Sequence, residues 1–126
     1  MRIFISQPMH GYTRDEILEE RKRIQAIFKG NEFIDSCIEK VPVMTGNSSV
    51  WCLGESIKMM KDAELVVVPT DHYCYRGCAI EHDVAVRYGI PICEINMYTS
   101  VRNNGQHAYK KFENVCIMRG GETDEH

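Results

Sequence analysis

The chain has 126 residues, of which 44% are hydrophobic and 26% are charged, and this is the composition of an ordinary globular protein. Its length suffices for one domain with a hydrophobic core of its own. The formal net charge of −3 gives no electrostatic reason to expect nucleic acid or an anionic membrane as a partner.

The chain carries no recognisable targeting segment. No apolar run approaches the ~20 residues needed to cross a bilayer, and the chain begins with a strand-like segment instead of a signal peptide. We therefore expect a cytoplasmic protein with reduced cysteines, of which Cys37, Cys93 and Cys116 lie in apolar, core-like surroundings. Cys74 and Cys78 lack the second Cys/His pair that a structural zinc site needs, so we expect no metal.

The first part of the chain predicts a strand, a helix and a second strand. Thr13 and Glu16 match the capping box that begins a helix, and apolar residues follow at helical spacing. The predicted elements are a strand over residues 2–6, a helix from Thr13 to a left-handed stop at Gly30, and a short strand over residues 33–36.

The second part continues the alternation. Residues 42–53 form a loop that is long for a compact domain, and such loops are often functional. The apolar run over residues 65–68 is typical of a parallel strand that is covered on both faces. The predicted elements are helices over 55–61, 77–88 and 108–112 and strands over 65–68, 90–95 and 115–118, and residues 120–126 are expected to be a flexible tail outside a domain of residues 1–119.

Strands that alternate with helices predict right-handed, parallel βαβ units. We expect a doubly wound, five-stranded parallel sheet in the order 2-1-3-4-5. Ligands of such sheets bind beside the carboxyl ends of the strands where the chain reverses direction. The loops over residues 6–12 and 69–77 meet at this point, so we expect the ligand site there.

Two residues at the start of the third predicted helix suggest an anion site. Arg76 precedes the helix, and Gly77 begins it. Unpaired amides and a partial positive charge at a helix N-terminus attract phosphate or carboxylate groups. The alternative is an exposed arginine beside a glycine that permits a tight helix start.

Glu81 is the main candidate for chemistry. Helical spacing places it on one face with Val84, Ala85 and Tyr88, which are apolar. A carboxylate on a core-facing surface must be paired, protonated or placed at a cleft. At the carboxyl edge of the sheet it would face the ligand, whereas the alternative is a buried glutamate that is satisfied by a hydroxyl or an amide.

Other polar residues near this helix are weaker candidates. Asp71 lies within possible reach of Glu81 and could bind a hydroxyl group or carry a proton, but aspartates are also common turn formers. For His72 and His82 a structural role is favoured. The sequence has no P-loop, no dinucleotide-binding Gly-x-Gly-x-x-Gly and no Gly-x-Ser-x-Gly elbow.

Three segments resemble the nucleoside 2-deoxyribosyltransferase superfamily, and in particular a branch of uncharacterised phage and bacterial proteins. They are the first-strand motif Ile3-Phe4-Ile5-Ser6-Gln7-Pro8-Met9, the central strand Asp62-Ala63-Glu64-Leu65-Val66-Val67-Val68, and the Gly-x-Ala-x-Glu helix from Arg76 to Ala85 with the strand after Gly89. The resemblance implies a flavodoxin-like fold, a homo-oligomer, and cleavage of the N-glycosidic bond of a nucleoside or nucleotide, without a cofactor.

The resemblance also implies roles for single residues. Glu81 would be the nucleophile and Asp71 an auxiliary acid or hydroxyl ligand, and Arg76 would favour monophosphates. The expected substrate-binding residues are Ser6, Gln7, Pro8, Met9, Gly11, Arg76 and Gly77.

The chain departs from the family pattern at two positions. Phe4 stands where the family often has a tyrosine that orients the nucleophile, and Tyr75 stands where it often has an aspartate. These departures favour a rival interpretation, a non-catalytic module that binds or senses nucleotides on the same fold. A third interpretation is a structural protein, which predicts no cleft at Glu81.

Overall fold

The computed structural model describes residues 1–9, 11–36 and 41–96, and the backbone of three later strands over residues 100–103, 106–109 and 116–119. The predicted tail over residues 120–126 and Cys37 lie outside the described residues, and Cys116 is described in its backbone only. None of the described helices is long and apolar enough to cross a membrane.

The core of the molecule is a four-stranded parallel sheet in the order β2-β1-β3-β4. The strands are β1 (Arg2–Ile5), β2 (Glu32–Ile34), β3 (Leu65–Pro69) and β4 (Ile92–Ile95). The prediction of a doubly wound parallel α/β sheet is confirmed for these strands, and the architecture is flavodoxin-like.

The last strands differ from the prediction. Strands β5 (Ser100–Asn103) and β6 (Gln106–Tyr109) form a separate antiparallel pair, so the helix predicted from residue 108 is wrong at Ala108 and Tyr109. Strand β7 (Cys116–Arg119) joins the main sheet beside β4, but it runs antiparallel to it. A parallel partner needs a long crossover connection, usually with a helix, and the described residues between β4 and β7 form only this strand pair.

Three α-helices cover the sheet, namely α1 (Arg14–Ile27), α2 (Ser48–Met59) and α3 (Arg76–Arg87). The predicted capping box of α1 is present, with Thr13 and Glu16 as its two members. Helix α2 begins seven residues before the predicted Glu55, because the Asn47 side chain accepts a hydrogen bond from the Val50 amide at 3.1 Å and caps the helix there. The predicted loop is therefore mostly helical after residue 47.

The helices lie on both faces of the sheet, because buried apolar side chains point alternately to the two sides along β1. Ile3 and Ile5 point to the side of α1 and pack with Ile24, whereas Phe4 points to the side of α2 and α3. On that second side Phe4 packs in a cluster that includes Cys78 of α3. Both faces of the parallel sheet are thus covered, which is why β3 is a continuous apolar run and β4 is apolar except for Glu94.

The cysteines are not all reduced. Cys93 is fully buried in β4, as predicted, but it is disulfide-bonded, so the expectation of a reduced thiol is wrong at this position. Cys52, Cys74 and Cys78 are free thiols.

Candidate functional site

A cavity of about 700 Å³ opens at the carboxyl edge of the sheet, where β1 and β3 diverge into their loops. Its wall is built from the end of β1 and the following loop, from α2, and from the N-terminal half of α3. This is the place where the strand order reverses, and the sequence predicted a ligand site there.

Glu81 lies on the cavity wall in the second turn of α3. It is only 7% exposed, and Ala85 one turn later is completely buried, so the predicted core-facing position of Glu81 is confirmed. Tyr88, which was predicted on the same face, lies beyond the helix end at Arg87 and is 78% exposed.

The Ser6 hydroxyl group holds the Glu81 carboxyl group. Ser6 Oγ, directly after β1, donates a hydrogen bond to Glu81 Oε1 at 2.5 Å. Ser56 of α2 lies near this carboxyl group and lines the same cavity. Glu81 is therefore tied to the end of the first strand, while it still borders the cavity.

The environment of Glu81 favours its neutral form. Burial raises the pKa of the carboxyl group to about 7 from the ordinary 4.5, and the hydroxyl groups of Ser6 and Ser56 oppose this shift. A carboxyl group with this pKa changes charge near neutral pH, which suits a group that takes part in a reaction.

Cys78 lies near Ser6 and Glu81 and lines the cavity. Burial and the negative charge of Glu81 raise the pKa of its thiol to about 12, and Ser6 opposes this shift, so the thiol stays neutral at ordinary pH. A neutral thiol is a poor nucleophile, so Cys78 is not a candidate for this role.

Gln7 faces the opposite side of the sheet from Ser6. Gln7 Nε2 donates to the Ile17 carbonyl oxygen of α1 at 3.0 Å, which fixes the orientation of the amide group. Its Oε1 atom is buried without a hydrogen-bond partner among the described residues, and Gln7 lines the cavity. An unpaired acceptor of this kind is costly for folding, which is typical of a residue that is retained for binding.

The other predicted binding residues divide into two groups. Pro8, Met9, Arg76 and Gly77 line the cavity together with Gln7 and Glu81. Gly11 is exposed with a positive φ of 86°, and it does not belong to the cavity wall. Its conformation indicates a role in shaping the loop.

Asp71 does not line the cavity. Its carboxyl group and Tyr12 of the first loop lie near the Tyr75 hydroxyl. Burial and the negative charge of Asp71 raise the pKa of the Tyr75 hydroxyl above its ordinary value. Tyr75 itself lines the cavity, so Asp71 can influence the site through Tyr75.

The residues that the sequence prediction missed belong to α2 and its N-cap. Asn47, Cys52 and Ser56 all line the cavity. The length of the predicted loop over residues 42–53 was the available signal, but the helical spacing from the Asn47 cap to Ser56 was not recognised.

The two histidines near α3 belong to another region. The rings of His72 and His82 stack at 3.8 Å, and neither residue lines the cavity. Within the described part of the chain, no group of three or more histidine, cysteine, aspartate or glutamate residues is arranged to hold a metal ion.

Comparison of the chain with protein-family models, curated proteins and solved structures found no match.

Proposed function

We propose that this chain cleaves the N-glycosidic bond of a nucleoside or nucleoside monophosphate, by hydrolysis or by transfer of the deoxyribosyl group. The observation that carries the proposal is the buried carboxyl group of Glu81, which borders a cavity at the switch point of the sheet and is held by Ser6. The resemblance to the nucleoside 2-deoxyribosyltransferase superfamily supports the same assignment.

In the proposed reaction the ionised Glu81 carboxylate attacks C1′ of the deoxyribose. The C1′–N bond breaks, its electron pair leaves with the base, and the base takes up a proton. The transition state is oxocarbenium-like and is stabilised by the adjacent negative charge. Water or a second base then attacks C1′ of the glycosyl ester, which releases the carboxylate again.

Arg76 and Gly77 are the proposed binding site for a 5′-phosphate. Both line the cavity at the N-terminus of α3, where amides and the helix dipole favour an anion. They precede Glu81 by four to five residues, which is about 6–7.5 Å along a helix. This separation suits a nucleotide whose C1′ lies at Glu81, while the base extends toward Gln7, Pro8 and Met9.

Asp71 is proposed to act indirectly. Because it interacts with the Tyr75 hydroxyl, it influences the part of the cavity wall that Tyr75 forms. A direct role as an auxiliary acid or hydroxyl ligand requires that Asp71 turn toward the cavity when substrate binds.

A homo-oligomer is part of the proposal. Met9, Val50 and Ile80 line the cavity and are 43%, 64% and 37% exposed, so the cavity is bordered by apolar side chains that a second copy could cover. The proposed location is cytoplasmic. The free thiols favour this location, whereas the disulfide at Cys93 is more typical of an oxidising compartment.

A second candidate function is a nucleotide sensor that binds without turnover. Phe4, which lines the cavity, has no hydroxyl group with which to orient Glu81. The pKa of Glu81, about 7, also leaves much of this side chain neutral at physiological pH, and a neutral carboxyl group is a poor nucleophile.

Chromatography of a panel of deoxynucleosides and deoxynucleoside monophosphates after incubation with the protein distinguishes these functions. The enzyme releases free base, and Glu81→Gln abolishes the release while the fold is retained. Glu94→Gln is the matched control, because Glu94 is equally buried at 6% exposure but does not line the cavity. Binding without base release by the wild type favours the sensor, and release by Glu81→Gln contradicts the proposed nucleophile.

A further inference from the structure

In the described part of the chain, two buried side-chain oxygen atoms have no hydrogen-bond partner, namely Glu20 Oε1 and Gln7 Oε1. Glu20 lies within α1 and does not line the cavity, and its other oxygen atom accepts a hydrogen bond from Arg23 at 3.3 Å. Gln7 lines the cavity and is 7% exposed. Its unpaired oxygen is therefore the one that a ligand in the cavity can satisfy.

The orientation of the Gln7 amide makes this side chain an acceptor. A carbonyl oxygen can be satisfied only by a donor, so Nε2 is the atom that bonds the Ile17 carbonyl oxygen, at 3.0 Å, and Oε1 is the atom left over. An unrestrained glutamine can turn its amide over and offer either a donor or an acceptor. Gln7 would lose its bond to α1 by such a turn, so its partner in a ligand has to carry an N–H or O–H group.

The proposed placement of the substrate assigns this partner to the base. Arg76 and Gly77 face the phosphate and Glu81 faces C1′, so the phosphate and the sugar lie along α3. The base then extends past the end of β1 toward Gln7. A phosphate dianion offers acceptor oxygens alone and is repelled by an unpaired carbonyl oxygen, so it does not occupy this end of the cavity.

The burial of Gln7 Oε1 favours one kind of donor. Because the atom is shielded from solvent, a donor group has to project from the ligand in order to reach it. The exocyclic amino group of adenine or cytosine projects from the edge of the ring and donates hydrogen bonds. Hypoxanthine and uracil carry an oxo oxygen at the same position, and their ring N–H is set back beside this oxygen.

We propose that Gln7 selects nucleotides whose base carries an exocyclic amino group, adenine or cytosine, over their oxo counterparts hypoxanthine and uracil. This inference rests on the proposed function for the class of ligand and its placement, and it adds the part of the base that the cavity recognises. An oxo base leaves Gln7 Oε1 unpaired and brings a second acceptor against it, which weakens binding about tenfold to a hundredfold.

The test is isothermal titration calorimetry with two matched pairs of deoxynucleoside monophosphates, adenine against hypoxanthine and cytosine against uracil. The Glu81→Gln protein is used, so that no base is released during the titration. The amino member of each pair is expected to bind about tenfold to a hundredfold more tightly. Addition of Gln7→Met or Gln7→Leu reduces both ratios to about twofold or less. Gln25→Met is the matched control and retains them, because Gln25 is a half-buried glutamine of α1 that does not line the cavity.

Equal affinity for the two members of each pair overturns the inference, as does a ratio that survives both Gln7 replacements in proteins with an unchanged circular dichroism spectrum. Base release by the wild type is measured separately. If the wild type discriminates within the pairs but releases no base, the proposed cleavage fails and the selection by Gln7 stands. If it releases base equally fast from both members of each pair, the cleavage stands and the selection is refuted.

Discussion

Replacement of Glu81 by glutamine tests whether this carboxyl group is neutral in the folded protein at mildly acidic pH. The folded protein holds the Glu81 proton up to a pKa of about 7, whereas the unfolded chain loses it near 4.5. Between these values the folded state binds more protons than the unfolded state, so the stability of the wild type falls as the pH rises. Glutamine is neutral at every pH and has almost the same shape, so Glu81→Gln does not lose this stability.

The magnitude follows from the two pKa values. At 1.36 kcal/mol for each pH unit, the difference between 4.5 and about 7 corresponds to about 3 kcal/mol. The side chain is 7% exposed, so screening by solvent reduces this figure little. We therefore expect the free energy of unfolding of Glu81→Gln minus that of the wild type to grow by about 3 kcal/mol between pH 4.5 and pH 8, and then to level off.

Urea denaturation followed by circular dichroism at half-unit steps of pH measures this difference directly. Glu19→Gln removes an exposed carboxyl group from α1 and controls for the change in net charge. A difference between Glu81→Gln and the wild type that stays constant over this pH range would refute the reasoning, because the carboxyl group would then titrate alike in the folded and unfolded chains.

Four further outcomes are expected. Base release by the wild type rises about tenfold between pH 6 and pH 8, because the ionised fraction of Glu81 rises from about a tenth to about nine tenths around its pKa of about 7; a flat profile contradicts the role of Glu81 as a nucleophile. Gln7→Met weakens nucleotide binding, measured by calorimetry, and changes the melting temperature little, because removal of the unpaired, buried Oε1 offsets the lost hydrogen bond from Nε2 to the Ile17 carbonyl oxygen; a large loss of stability with unchanged binding contradicts this. Tyr75→Phe lowers the free energy of unfolding by about 1 kcal/mol, because the polar interactions of the Tyr75 hydroxyl with Asp71 and Tyr12 are lost, and equal stability in urea denaturation speaks against these interactions. Asn47→Ala lowers it by about 1 kcal/mol through loss of the α2 cap, whereas Asn47→Asp retains most of the stability, and equal effects of the two exclude capping as the cause.

The sequence predicted the centre of the molecule better than its edges, for a physical reason. The run that became β3 is apolar without interruption, and β4 is apolar except for Glu94, a composition that is typical of strands covered on both faces. The position of Glu81 followed from the spacing of Ala85 on α3, which depends on local helical geometry alone. Tyr88 was misplaced because the helix ends one residue earlier, at Arg87.

Helix α2 could not be recognised in the same way. It has no fully buried residue, so its sequence contains a weak apolar stripe, and the Gly, Ser and Asn residues at its start are also typical of loops. The antiparallel direction of β7 could not be predicted either, since the direction of a strand depends on the path of the chain before it and not on the composition of the strand.

Ser6 and Gln7 are consecutive residues directly after β1, and their side chains bond to elements on opposite sides of the sheet. The Ser6 amide donates to the Val67 carbonyl oxygen at 2.8 Å and so extends the register in which Ile5 is paired with Val67. Since side chains alternate along an extended chain, this register directs Ser6 to Glu81 on the side of α3 and Gln7 to Ile17 on the side of α1. A register shift of one residue would exchange the positions of Ser6 and Gln7. Glu81 would then face the Gln7 amide, which is too long for the space, and Ile17 of α1 would face the Ser6 hydroxyl, which is too short to reach it. The pairing of β1 with β3, which the apolar core fixes, therefore also sets the geometry of the hydrogen bond on which the proposed chemistry depends.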